Sequence, residues 1–330
     1  MQLNRSTLTG AVVSLAVAVS TTAFSATSAD AQTKKIKIDG SSTVFPISEA
    51  VAEEFQKLTN NKVNVTVGVS GTGGGFKKFC AGETDISDAS RPIKEKEQKL
   101  CEGVEYIEIP VAFDALTVVV NKGNPIKSMT VAELKKMWSE DPEGSVTTWQ
   151  DVNSSWPADK ISFYAPGSDS GTFDYFNGAI AKKNHRKDIT ASEDDNILVQ
   201  GVSREPNGIG YFGFAYYEQN KDRLNAVAID NGNGPVLPSR DAVENGTYTP
   251  LSRPIFIYVN KKAAKRPEVR QFVNFYLRKA AEFSAEVGYI PLPAPAYQQA
   301  AKNFREGKTG SFFAGRDTDG LKVSEVLKSK

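Results

Sequence analysis

Apolar and polar residues alternate in two early stretches, KKIKIDG at Lys34–Gly40 and KVNVTVGVS at 62–70, and each run ends in glycine or serine. A period of two predicts strands that run into turns. Between them Pro46 opens a helical period of Ile47, Ala50, Val51 and Phe55, and after the second run Phe76 and Phe79 take up a helical spacing again. Strand, turn and helix in repetition predict the α/β class, whose ligands gather where strands end beside helix N-termini. Two further apolar runs, ALTVVVNK at 115–122 and PIFIYVNK at 254–261, both close on Val-Asn-Lys. They predict strands on which the chain leaves a first lobe, 32–115 plus 253–330, for a second lobe, 116–252, and later returns.

The beginning of the chain follows a different pattern. Arg5 precedes an apolar stretch from Leu8 to about Phe24, and Ala29 and Ala31 occupy the small positions before a cut, which predicts a secretory signal peptide over 1–31. Export places Cys80 and Cys101 in an oxidising compartment, where a disulfide is expected, worth about 3 kcal/mol through loop closure. Neither cysteine stands at the start of the mature chain, so no lipid anchor is expected. In 330 residues, 40 Lys and Arg balance 39 Asp and Glu, a net charge of +1. That balance gives no global field for nucleic acid, so an anion site must be local. The single histidine, His185, lies among Lys182, Lys183, Arg186 and Lys187 and reads as a solvated surface residue. With one histidine, neither a metal site nor a catalytic triad is expected.

Three turns carry the candidate chemistry. DGSSTVFP sets Ser41, Ser42 and Thr43 between a strand and a proline-started helix. Free N–H groups and the helix dipole allow such a turn to hold an anion, although serine and threonine there also serve as ordinary caps. SGTGGGF, at 70–76, offers Ser70 and Thr72 as hydroxyl donors on a glycine backbone able to turn its N–H groups inward. It lacks the Gly-Lys-Ser/Thr ending of a nucleotide-binding loop. APGSDSGTFDYF places Ser168, Ser170, Gly171 and Thr172 ahead of Phe173, Phe176 and Ile180 at helical spacing. The ligand expected from three such turns is a compact oxyanion held by neutral donors.

In order and spacing, DGSSTVFP, SGTGGGFKKF, DISDASRPI, GSDSGTFDYF and PNGIGYFGFAYYEQN resemble the periplasmic phosphate-binding proteins that serve Pst-type ABC transporters. The resemblance covers nearly all of the mature chain. It implies a type II periplasmic-binding-protein fold, two lobes joined by hinge strands near 113–116 and 253–256, with inorganic phosphate in the cleft. A membrane-embedded ABC permease is the implied partner, a monomer is expected, and neither cofactor nor catalytic residue is implied. Matched position by position, the first phosphate loop falls on Ser42, Thr43, Val44 and Phe45, with the Phe45 N–H as a ligand donor. The second falls on Thr72 or Ser70, and the third on Ser170, Gly171 and Thr172.

Two positions depart from the family pattern. The arginine expected four residues before Ser170 is Pro166, and the aspartate expected two residues before Pro92 is Ser90, followed by Arg91. Ser90 and Arg91 are therefore included among the ligand residues, Arg91 as a source of cation or as a surface arginine. A carboxylate that accepts the phosphate proton would discriminate against sulfate, and Asp39, Asp88 and Asp169 are the candidates. The remaining readings are a binding protein for sulfate, molybdate or arsenate, and an exported serine hydrolase acting through GSDSGT, for which no adjacent histidine base is in sight.

Overall fold

The computed structural model describes residues 34–140, 146–168, 170–182, 184–192, 194–314, 318–322 and 325. The signal segment expected over 1–31, Asp169 and most of the last eight residues lie outside them. In chain order the elements begin β1 (Lys34–Gly40), α1 (Phe45–Leu58), β2 (Val63–Val69), α2 (Gly71–Cys80), β3 (Ile86–Ala89), α3 (Glu95–Leu100) and β4 (Tyr106–Asn121). They continue with β5 (Ser128–Thr130), α4 (Val131–Trp138), α5 (Trp149–Val152), β6 (Ser162–Pro166), α6 (Gly171–Ala179), β7 (Thr190–Ser192) and α7 (Asp195–Arg204). After these come β8 (Gly208–Gly213), α8 (Phe214–Gln219), β9 (Leu224–Ala226), β10 (Ala228–Asp230), β11 (Pro235–Val236) and α9 (Arg240–Glu244). The chain closes with β12 (Ser252–Asn260), α10 (Pro267–Glu286), β13 (Ile290–Pro291) and α11 (Ala294–Glu306).

The α/β expectation holds, and the sheet explains how. Its order is β2-β1-β3-β12-β4-β8-β6-β7, with β9 and β13 also paired to β4. Two parallel blocks, β2-β1-β3 and β8-β6-β7, flank an antiparallel central pair, β12 and β4. β4 is buried along almost its whole length, as a largely apolar strand covered on both faces must be. Its partners change within one step: β12 runs beside it as far as Ala115, and β8 begins at Leu116. The type II periplasmic-binding fold has this architecture.

Helices cover the faces through their apolar stripes. α1 buries Ile47, Val51, Ala52 and Phe55, and Phe55 meets Phe272 of α10 edge to face at 5.3 Å. The valine face of β2 is buried at Val63 and Val65 but exposed by Val69, where the strand leaves the core. Cys80 at the end of α2 and Cys101 at the end of α3 form the expected disulfide. Among the described residues no helix is long and apolar enough to cross a membrane.

Candidate functional site

The parallel strands bring their carboxyl ends level. Gly40, Val69 and Asp88 are register partners, the Ser41 N–H donates to the Asp88 carbonyl at 3.0 Å, and the Ser70 N–H donates to the Gly40 carbonyl at 3.0 Å. One edge of the sheet thereby collects the first turn, the start of the glycine stretch and the Ser90–Arg91 corner.

In the first turn Ser41 is the hub. Its carbonyl accepts from the N–H groups of Val44 (3.2 Å) and Phe45 (3.0 Å), and its hydroxyl accepts from the Thr43 N–H (3.2 Å). The Phe45 amide thus closes the turn, and the Val44 side chain is wholly buried. The hydroxyls of Ser42 and Thr43 lie against Gly171, Thr43 being buried there.

The glycine stretch is the opening of α2 itself rather than a loop before it, since the helix starts at Gly71. Gly75 shows why glycine is needed: a Cβ there would come 2.9 Å from Ser87 Oγ and 3.0 Å from the Asp39 carbonyl oxygen, so α2 packs its backbone directly on the strand ends. Ser70 donates to Asp39, which Lys78 also meets at 2.7 Å. Thr72 Oγ1 accepts from the Ser90 N–H at 3.1 Å and lies 3.1 Å from Ser90 Oγ. Arg91 is held by Glu97 through two bonds of 2.8 Å.

The third turn forms at the end of β6. Ser170 caps α6 by accepting from the Thr172 N–H at 3.1 Å, and Gly171 is buried against the first turn. A Cβ on Gly171 would collide with Thr43 Oγ1 and approach Ser42 Oγ to 2.9 Å. The second and third turns therefore both join the first, the former through Asp39 and Gly75, the latter through Gly171.

Of the candidate carboxylates, Asp88 points into the core, accepting from Ser48 at 3.0 Å, and Ser48 Oγ lies 3.2 Å from Tyr276 Oη. Burial pushes its carboxyl up to about 8, with the Ser48 bond working against this and the Asp39 charge adding to it. A pair that sequence reasoning missed sits on the central strands: Asp114 of β4 and Arg253 of β12 are register partners, both buried, with Nη2 and Oδ2 3.4 Å apart. The Arg253 guanidinium lies 3.6 Å over the ring of Tyr175, on the helix that starts at Gly171. The available signal was a charge interrupting each apolar run, VAFDALTVVV and LSRPIFIYV.

His185 is not a surface residue, as its basic neighbours suggested. It is 7% exposed, donates from Nδ1 to the Arg186 carbonyl at 2.7 Å and receives the Tyr211 hydroxyl at Nε2 (3.1 Å). Arg186 beside it is also buried, satisfied by Asp188 and the carbonyls of Met137 and Val146. A run of charge identifies a solvated face only where no tertiary pocket supplies partners.

Residues 25–280 match the profile of the PBP superfamily domain. The chain belongs to that superfamily. Within it, Protein SphX of Synechococcus elongatus is 59% identical over 317 residues, covering 95% of this chain and 94% of that one. Phosphate-binding protein PstS of Staphylococcus epidermidis is 42% identical over 277 residues, 82% of each chain. The crystal structure of a possible phosphate binding protein from Planctomyces limnophilus is 46% identical with a TM-score of 0.78, over 84% of this chain and 99% of that one. In this PBP-superfamily chain the matched region takes in all three turns and both members of the Asp114–Arg253 pair.

Proposed function

We propose that this chain is an exported solute-binding protein that captures inorganic phosphate between two lobes, 32–115 plus 253–330 and 116–252, and delivers it to a membrane-embedded ABC permease. The observation that carries the reading is the approach of Gly171 to Ser42 and Thr43, which joins two donor-bearing turns from opposite halves of the sheet. The partner change of β4 between Ala115 and Leu116 supports the lobe boundary and a hinge there. The names of the SphX and PstS relatives and of the Planctomyces protein support phosphate as the ligand.

In this reading the hydroxyls of Ser42, Thr43, Thr72 and Ser170, with the first-turn N–H groups of α6, donate to the phosphate oxygens. Ser70 and Ser90 orient the second turn, through Asp39 and Thr72 respectively. The buried Asp114–Arg253 pair supplies a carboxylate and a cation of the kind absent from the Ser90 and Pro166 positions. The protein acts by binding and closing, without chemistry on the ligand. It works as a periplasmic monomer.

Calorimetric titration with phosphate, sulfate, molybdate and arsenate across pH tests the assignment. One phosphate per chain, with sulfate far weaker, is expected; tight sulfate binding with weak phosphate overturns it. Turnover of a chromogenic phosphate ester, abolished in Ser170→Ala, would instead establish a hydrolase.

A further inference from the structure

Arg91 stands beside the glycine stretch with its donors divided in two. Nη1 and Nη2 each give one hydrogen to Glu97, at 2.8 Å, and Nη1 gives its other hydrogen to the Pro92 carbonyl at 3.1 Å. The Nε–H and the second Nη2 hydrogen remain, and in a planar guanidinium those two point the same way, as a fork that fits two oxygens of an oxyanion. Gly73 lies beside this Arg91–Glu97 pair, where a Cβ would stand 3.8 Å from Glu97 Oε1 and 3.9 Å from Arg91 Nη2. Glu97 is itself fixed: it is 4% exposed, accepts the Lys94 N–H at 2.9 Å, and lies on α3, whose end is tied to α2 by the Cys80–Cys101 disulfide.

We infer that Glu97 is a positioning residue for ligand binding, holding Arg91 so that its remaining fork is presented to a phosphate oxygen pair. The inference rests on the proposed phosphate function and adds to it how an arginine outside the family's usual place is aimed. Because Glu97 neutralises the pair, orientation and not charge is what Arg91 contributes. Fixing a guanidinium before the ligand arrives raises affinity by removing the entropy of ordering it.

The test is a double-mutant cycle read by calorimetric phosphate titration of the full mature chain: wild type, Glu97→Gln, Arg91→Lys and the double variant. Each single change is expected to weaken phosphate binding about tenfold, roughly 1.4 kcal/mol. The double variant is expected to stay within about twofold of the weaker single one, because Glu97 acts only through Arg91. Unchanged or tighter binding by Glu97→Gln, unchanged binding by Arg91→Lys, or losses that multiply in the double variant each overturn the inference. Should Glu97→Gln fail to fold, Glu97→Asp, which keeps the charge but withdraws it from the guanidinium, replaces it in the same cycle. A wild type that binds no phosphate refutes the functional reading; a wild type that binds while Glu97→Gln is unaffected refutes only the role of Glu97.

Discussion

Gly171 stands against Thr43 with no room for a side chain: a methyl in place of its hydrogen would strike Thr43 Oγ1 and lie 2.7 Å from the Thr43 amide nitrogen. Its φ is not among the positive ones, so alanine is allowed by the backbone and excluded only by this neighbour. Gly171→Ala is therefore expected to weaken phosphate binding about tenfold or more, the result of overpacking by 1–3 kcal/mol. The melting temperature should fall as well, since the same clash strains the folded chain by more than the helix preference of alanine over glycine returns. Titration and thermal melting on the same sample separate the two effects.

Asp114 and Arg253 make a second prediction. Asp114→Ala leaves the Arg253 charge buried beside Tyr175 with its carboxylate gone. Breaking such a pair costs about 3–5 kcal/mol, measured by urea unfolding. Replacing both by a packed apolar pair should recover most of the stability but not the ligand affinity.

Asp88 gives a pH dependence of known sign. Its folded pKa is about 8 against an ordinary 3.8, so the folded state binds the proton more tightly. The stability this contributes is fully present below about pH 4 and is lost as pH rises to about 8, on the order of 1 kcal/mol per pH unit. Asp88→Asn, which mimics the protonated group, should remove that slope, becoming progressively more stable than wild type from pH 5 to 8. Denaturant midpoints at four pH values decide it, and parallel curves would show that Asp88 does not titrate in this window.

Reduction of the Cys80–Cys101 disulfide is expected to lower stability by about 3 kcal/mol. Unfolding with and without a thiol reductant measures this, and the Cys80→Ser/Cys101→Ser double variant should match the reduced protein under both conditions.

Local pattern made much of this fold visible beforehand. The alternation of Ile36 and Ile38, the helical period after Pro46 and the Val-Asn-Lys endings correspond to β1, α1, β4 and β12. What stayed hidden depends on register. Asp114 and Arg253 lie 139 residues apart and meet only because β12 aligns beside β4 at that step. Arg91 looked like a spare cation because Glu97, six residues on, turns back to it through α3. His185 looked exposed because its partner Tyr211 comes from a distant strand. The glycine stretch looked like a turn because the packing of Gly75 on Gly40 and Ser87, which helps override poor intrinsic helix propensity, comes from distant strands.

β12 lies between β3 and β4, so two strands finished within the first 121 residues are joined by one that begins at Ser252. Until that late segment is made, both carry open edges, free to pair with another chain. The order of synthesis thus keeps this polypeptide from locking into its final shape until most of it exists, and its slowest and most aggregation-exposed interval comes before residue 252.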